Sequence, residues 1–321
     1  MLESPLERRG VFRVVLGLLV GIALLFAITR VIDATQGLNE FSQYNWSYMP
    51  WVLALSAIYF LFKGLRWHYY LSVAGIHLPL RKTLLVYLAG QWFAFTPAGE
   101  FVRVYLLAPY KVSFAQASPT LVVHLLVDFL SLAILGSVVV LWYGDLAFLV
   151  LPLTLAIIFG VLLIVNPWLK AFVGRQAFLR PVFNRLGQTF NHSSNQLLTA
   201  RQVAIGTAMG VPTMMVGALA LYLVCQGTAS VRASGIDSIL VFSLSQLAGA
   251  LSMLPHGLGA VEGSSLGLFA YAGIDSAGAM AVVALFRLAT LVWGVALGGI
   301  ALLALNVAPV YRMLVGGAKS R

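Results

Sequence analysis

Pro255-His256-Gly257-Leu258-Gly259-Ala260-Val261-Glu262 interrupts an apolar run from Ile239 to Tyr271 with helix breakers and a carboxylate. A second interruption, Thr96-Pro97-Ala98-Gly99-Glu100, divides the run from Thr83 to Ala108. Crossing a bilayer takes about 20 consecutive apolar residues in a helix, so each half of either run is too short to span alone. Non-helical backbone at bilayer depth is tolerated only where it is buried in protein or lines a wet cavity. Both runs are therefore expected to be re-entrant hairpins turned inward.

The rest of the chain supplies the bilayer context. Its 321 residues are 60% hydrophobic and 9% charged, far from the soluble globular average. Approximate spans run Val11 to Ile32, Pro50 to Tyr70, Ala117 to Tyr143, Leu146 to Val165, Val203 to Cys225 and Ala277 to Val307. An all-α polytopic bundle of about six spans plus the two hairpins uses the whole length and leaves no room for a separate soluble catalytic domain. The apolar run that follows Arg8, Arg9 and Arg13 is read as an uncleaved first span. Cys225 is the single cysteine, which excludes a disulfide framework within one chain.

The net charge of +10 is better explained by topology than by nucleic acid, and no nucleic-acid partner is expected. With the N-terminus cytoplasmic, the inside connections collect Arg8, Arg9, Lys63, Arg66, Arg81, Lys82, Lys111, Lys170, Arg175, Arg180, Arg185, Arg201, Arg312, Lys319 and Arg321. The outside holds Asp33, Glu40, Asp145, Asp237 and Asp275, with Arg30 and Arg232 its only basic residues. This positive-inside pattern is expected to put both termini on the cytoplasmic side of the membrane. It holds only if both broken runs return to the side they entered. The basic stretch from Lys170 to Arg201 suits either an interfacial segment on anionic lipid or a solvated loop.

Element order then repeats. Residues 1–143 read as two spans, the hairpin 83–108 and a long span; residues 144–321 read as two spans, the hairpin 239–271 and a long span. Pro97 precedes Asp128 by 31 positions and Pro255 precedes Arg287 by 32. The halves start on opposite sides, which makes an inverted-topology repeat, an architecture that in secondary transporters places a site at the midplane. Chance similarity of two Pro-Gly breaks is the competing account.

Charge within the bilayer is costly, so intramembrane ionisable residues are functional candidates by default. The sequence offers Glu100, Arg103, Asp128, Glu262 and Arg287. Half-helices are expected to restart after each break, with Thr96 capping and Pro97 at the first helical position, and with Gly259 ahead of Glu262. Their N-termini favour an anion, either the glutamate or a substrate phosphate. Gly99, Pro255, Gly257 and Gly259 shape these turns. Glu100 and Arg103, three apart, make a local ion pair on one helical face. Glu262 and Arg287 are expected to pair at long range, as site or as packing glue. His124 lies one turn before Asp128 on the same face, in position to relay protons or to tie two helices together. Glu100 and Glu262 are expected to approach one another near Arg103, Asp128 and Arg287. A lone His256 is a weak metal ligand, and neither metal nor cofactor is expected. No nucleophile elbow, phosphate loop, dinucleotide fingerprint or metalloprotease motif appears, so enzymatic catalysis of a soluble type is not expected.

On these residues the sequence resembles the lysylphosphatidylglycerol synthase transmembrane-region family, also called the flippase-like domain family of bacterial and archaeal inner-membrane proteins. Its first pattern looks like Thr96 to Arg103, Ser113 to Ala117 and Asp128; its second, the more specific, looks like Pro255 to Glu262 followed by Arg287. Where the family's Glu-Arg would fall, this chain has His124 and Leu125. The resemblance implies a flippase that moves a lipid between leaflets, an anionic phospholipid or a polyprenyl-phosphate-linked lipid. The two half-helix N-termini with Arg103 and Arg287 are then expected to receive its head group. The alternatives are a membrane-embedded lipid-modifying transferase and a non-catalytic lipid-binding subunit of an envelope-assembly complex. Partners compatible with this reading are membrane lipids, further copies of the chain or an envelope-biosynthesis enzyme.

Overall fold

The computed structural model describes residues 40–93, 99–139, 142–165, 196–252 and 254–305, and among these every regular element is a helix. The expected first span Val11–Ile32, the break residues Thr96, Pro97 and Ala98, the basic stretch from Lys170 to residue 195, and the chain after residue 305 lie outside the described residues. The helices are α1 (Met49–Val73), α2 (Leu80–Gln91), α3 (Gly99–Tyr105), α4 (Phe114–Val139), α5 (Ala147–Val165) and α6 (Ala200–Gly227). They are followed by α7 (Gly235–Leu251), α8 (Ala260–Tyr271) and α9 (Ser276–Arg287), which passes through one π-helical turn, Leu288–Val292, into α10 (Trp293–Ala304).

Five described stretches are long and apolar enough to cross a membrane: Trp46–Val73, Phe114–Val139, Gly144–Leu163, Ala200–Gly227 and Ser276–Ala304. They coincide with five of the six expected spans, and the chain is a polytopic helical membrane protein. The packing follows from the solvent. Along α1 the buried positions Val52, Ser56, Phe60, Arg66, Trp67 and Tyr70 recur at helical spacing, while Trp51 on the other face is 68% exposed. An apolar outer face of this kind is at home against lipid.

The chain divides into two compact units. The first takes Met1–Ile58, Gln91–Gly99 and Met215–Ala296; the second takes Tyr59–Gly90, Glu100–Met214 and Leu297–Arg321. In the first, Ser234 opens α7 with a reciprocal capping box to Asp237, and Asp275 caps α9 through the Ala277 amide. α7 packs on α8 across the 3-10 turn Pro255–Gly257. The approach is so close that a Cβ on Gly257, whose φ is +64°, would stand 2.8 Å from the Gly249 Cα. Only glycine satisfies both that conformation and that contact.

In the second unit, Trp67, Leu71, Val86, Tyr87, Val104, Leu107 and Leu121 form a core in which α1, α2, α3 and α4 share one buried cluster. The Trp67 indole donates to the Thr120 hydroxyl at 3.1 Å, so the one polar atom of the ring is satisfied inside it.

Candidate functional site

Each unit buries charge, and it does so differently. In the first, the left-handed His256 (φ 51°) and Gly257 turn the chain so that α8 can begin at Ala260, with Gly259 at its N-cap. The restart after this break is as the sequence predicts. Glu262, 6% exposed, sits at the third helical position and accepts from the Gly259 amide through Oε2 at 2.7 Å. This is half a capping box, since glycine has no side chain to return the bond. The other oxygen, Oε1, accepts from Arg287 Nε at 2.6 Å, and Arg287 Nη2 reaches the His256 carbonyl at 3.4 Å. The long-range pair expected between Glu262 and Arg287 is therefore formed. It ties α8 and the turn before it to the end of α9, where the π-helical turn begins. Such turns are inserted where a helix must re-aim a side chain, often at functional positions.

The second unit centres on Asp128. On α4, His124, Asp128 and Ser131 fall at i, i+4 and i+7, all buried, forming one inward stripe. On α1, Lys63 and Arg66 face it. Lys63 Nζ lies 2.8 Å from Asp128 Oδ2, and the Arg66 guanidinium donates to Asp128 Oδ1. Arg66 is wholly buried. His124 Nε2 stands 3.9 Å from Asp128 and 3.4 Å from Arg66 Nη2. A guanidinium can only donate, so this contact makes Nε2 the acceptor and leaves the ring proton on Nδ1.

Burial of Arg66 depends on α6. A Cβ on Gly206 would meet the Tyr70 hydroxyl at 1.7 Å, and one on Gly210 would meet Ser131 Oγ at 2.2 Å and Arg66 Nη1 at 2.7 Å. The Gly206–Gly210 spacing is the small-residue spacing that lets membrane helices approach closely. Here it makes room for a cation and a ring.

Glu100 and Arg103, on α3, form the expected local ion pair. Arg103 is buried, its guanidinium 4.2 Å over the Tyr87 ring, while the Glu100 side chain is 40% exposed. Gly99 starts this helix and is buried; Pro97 lies outside the described residues. Tyr87 has Arg103, Lys63, Glu100 and Asp128 as its electrostatic neighbours, so the two carboxylates and their cations form one cluster.

The sequence reading counts Lys63 and Arg66 with the basic residues of the inside connections, whereas both lie within α1 and both pair with Asp128. Lysine and arginine near the end of an apolar helix usually extend to the interface. A buried carboxylate 62 residues away in sequence holds Arg66 inside instead. The signal available was the stripe itself: Tyr59, Lys63, Arg66 and Tyr70 at helical spacing in a run otherwise apolar.

The fold and these pairs define a class: a multi-pass helical membrane protein that buries ion pairs between its helices. The chain belongs to the family described as the lysylphosphatidylglycerol synthase TM region, whose model matches residues 14–298. A comparison with curated proteins finds none that matches.

Proposed function

We propose that this chain is a flippase that moves an anionic lipid, a phospholipid or a polyprenyl-phosphate-linked lipid, between the leaflets of a cell's inner membrane. The observation that carries this reading is the charge imbalance of the Asp128 cluster. Among the described residues, the ion pairs of Lys63, Arg66 and Arg103 are with Asp128 and Glu100. Uncompensated charge is expensive away from water, so a surplus cation in a bundle invites an anion. A lipid phosphate supplies one. The family match agrees with a lipid as the cargo.

In this reading the runs 83–108 and 239–271 are re-entrant hairpins of an inverted repeat, and both termini are cytoplasmic. The helix–turn–helix of α7 and α8 supports the second hairpin, since both helices are shorter than a span. The chain is a carrier, not an enzyme. Both carboxylates of the cluster are engaged by cations, and a carboxylate so held is a poor general base.

The test is transport by purified protein in liposomes carrying a fluorescent anionic lipid, followed by its protection from a membrane-impermeant quencher. Wild type should equilibrate the probe across leaflets, and Lys63→Met should slow it at least tenfold. Equal rates in protein-free vesicles, wild type and Lys63→Met would sink the proposal.

A further inference from the structure

Among the described residues, buried polar side-chain atoms without a hydrogen-bond partner separate by unit. In the first unit they are Tyr44 Oη, Ser56 Oγ and Trp293 Nε1, all on uncharged side chains. In the second they are Arg66 Nε and Nη1, Arg103 Nε, His124 Nδ1, Tyr87 Oη and Ser131 Oγ. Guanidinium N–H groups and the protonated imidazole nitrogen are donors only, and a hydroxyl can turn to donate. The second set is thus an array of donors without acceptors, beside a carboxylate whose two oxygens are already engaged by Arg66 and Lys63.

These donors are not dispersed. Arg66 and His124 both reach Asp128, and Ser131 continues the stripe of His124 and Asp128 on α4. Arg66 Nη1 and Ser131 Oγ both lie within 2.7 Å of the point where Gly210 lacks a Cβ. Glycine keeps this corner free of side chain. Lys63, whose side chain is 16% exposed, stands at its wetter edge; Asp128 takes one of its donors at 2.8 Å and the Tyr59 hydroxyl another at 3.4 Å. An ammonium has three donors.

We infer that Arg66, His124 and Ser131, with Lys63 at the edge, form a subsite for a single phosphodiester, the singly charged class of lipid head group. The inference rests on the lipid-transport reading and narrows its substrate. Its argument is charge and donor chemistry together. Phosphate oxygens are acceptors only, and they match an array that lacks acceptors. One negative charge neutralises the surplus of one left by Lys63, Arg66 and Arg103 against Asp128 and Glu100. A phosphomonoester or a diphosphate brings a second charge, for which the described residues of this cluster hold no further cation. A zwitterionic head group brings a cation of its own and leaves the surplus in place.

The experiment is ligand-induced thermal stabilisation of the detergent-purified chain at pH 8. The probes are short-chain phosphatidylglycerol, phosphatidic acid and phosphatidylcholine, with glycerophosphoglycerol and inorganic phosphate as arms that separate a lipid head group from a free anion. Phosphatidylglycerol should bind at least tenfold more tightly than phosphatidic acid or phosphatidylcholine, and more tightly than either soluble anion.

Ser131→Ala removes a donor that has no partner in the free protein, so the ligand-free melting temperature should hold or rise. The same variant should lose about tenfold in phosphatidylglycerol affinity, and Lys63→Met should erase the preference over phosphatidylcholine. Indifference to head-group charge, absence of binding by every probe, or wild-type affinity in Ser131→Ala would overturn the subsite, leaving a corner that holds an internal water only. Selective binding without transport would keep the subsite and remove the flippase reading. Transport at equal rates for singly and doubly charged lipids would do the reverse.

Discussion

Glu262–Arg287 and the Asp128 cluster are both buried ion pairs between helices, but only one of them is complete. Glu262 spends one oxygen on the Gly259 amide and the other on Arg287, and Arg287 spends its remaining reach on the His256 carbonyl. One charge meets one charge, and every contact holds the break between α7 and α8 in place. Asp128 instead holds two cations, and Arg66 keeps two donor nitrogens unpartnered. A balanced pair behaves as a fastener; an unbalanced one retains capacity for a ligand. The difference moves the weight of the candidate site from Arg287 to Lys63 and Arg66.

The largest effect expected on breaking either node is Asp128→Asn. It strips the counter-ion from two cations at once, one of them wholly buried, and breaking a buried pair from one side costs about 3–5 kcal/mol. Unfolding of the purified protein in detergent should show a loss of that size. A loss under about 1 kcal/mol, the range of exposed pairs, would mean that the cluster is hydrated and that its surplus charge is not a driving force.

The sequence singles out Asp128 but not the two cations that it holds, and this is where sequence reading stops. Hydropathy finds the spans because lipid demands long apolar runs, and the Pro-Gly breaks mark α8 because glycine alone tolerates the turn at Gly257. Pairs within one helix, such as Glu100 with Arg103, follow from spacing. Glu262 with Arg287 was legible because each lacked any nearer partner. Lys63 and Arg66 were not, because topology offers every basic residue a second explanation. Only packing of α1 on α4, and the glycines of α6 beside them, distinguishes a buried arginine from an interfacial one.

The next effect separates fastener from receptor. Glu262→Gln should cost about 3 kcal/mol, because Arg287 loses its counter-ion. The double change Glu262→Leu with Arg287→Leu should recover most of that loss, since a balanced pair can be exchanged for apolar packing at little net cost. Recovery should stop about 1 kcal/mol short, the share of the cap on Gly259. The matching double change at the other node, Asp128→Leu with Arg66→Leu, should not recover, because Lys63 remains without a counter-ion. Equal recovery at the two nodes would erase the distinction between them.

The smallest effects test the glycines. Gly210→Ala puts a methyl group 2.2 Å from Ser131 Oγ and 2.7 Å from Arg66 Nη1, so one of them must move, at about 1–3 kcal/mol for an overpacked site. Gly263→Ala on α8 is its control: nothing lies within 4 Å of the added methyl group, and the helix gains up to about 1 kcal/mol from the lost glycine. The two substitutions are chemically identical, so opposite signs in the same unfolding assay isolate the space around Arg66. If Gly210→Ala is as well tolerated as Gly263→Ala, then α6 does not press on the Asp128 cluster. Arg66 would then have freedom to turn outward, and its unpartnered nitrogens would need no ligand.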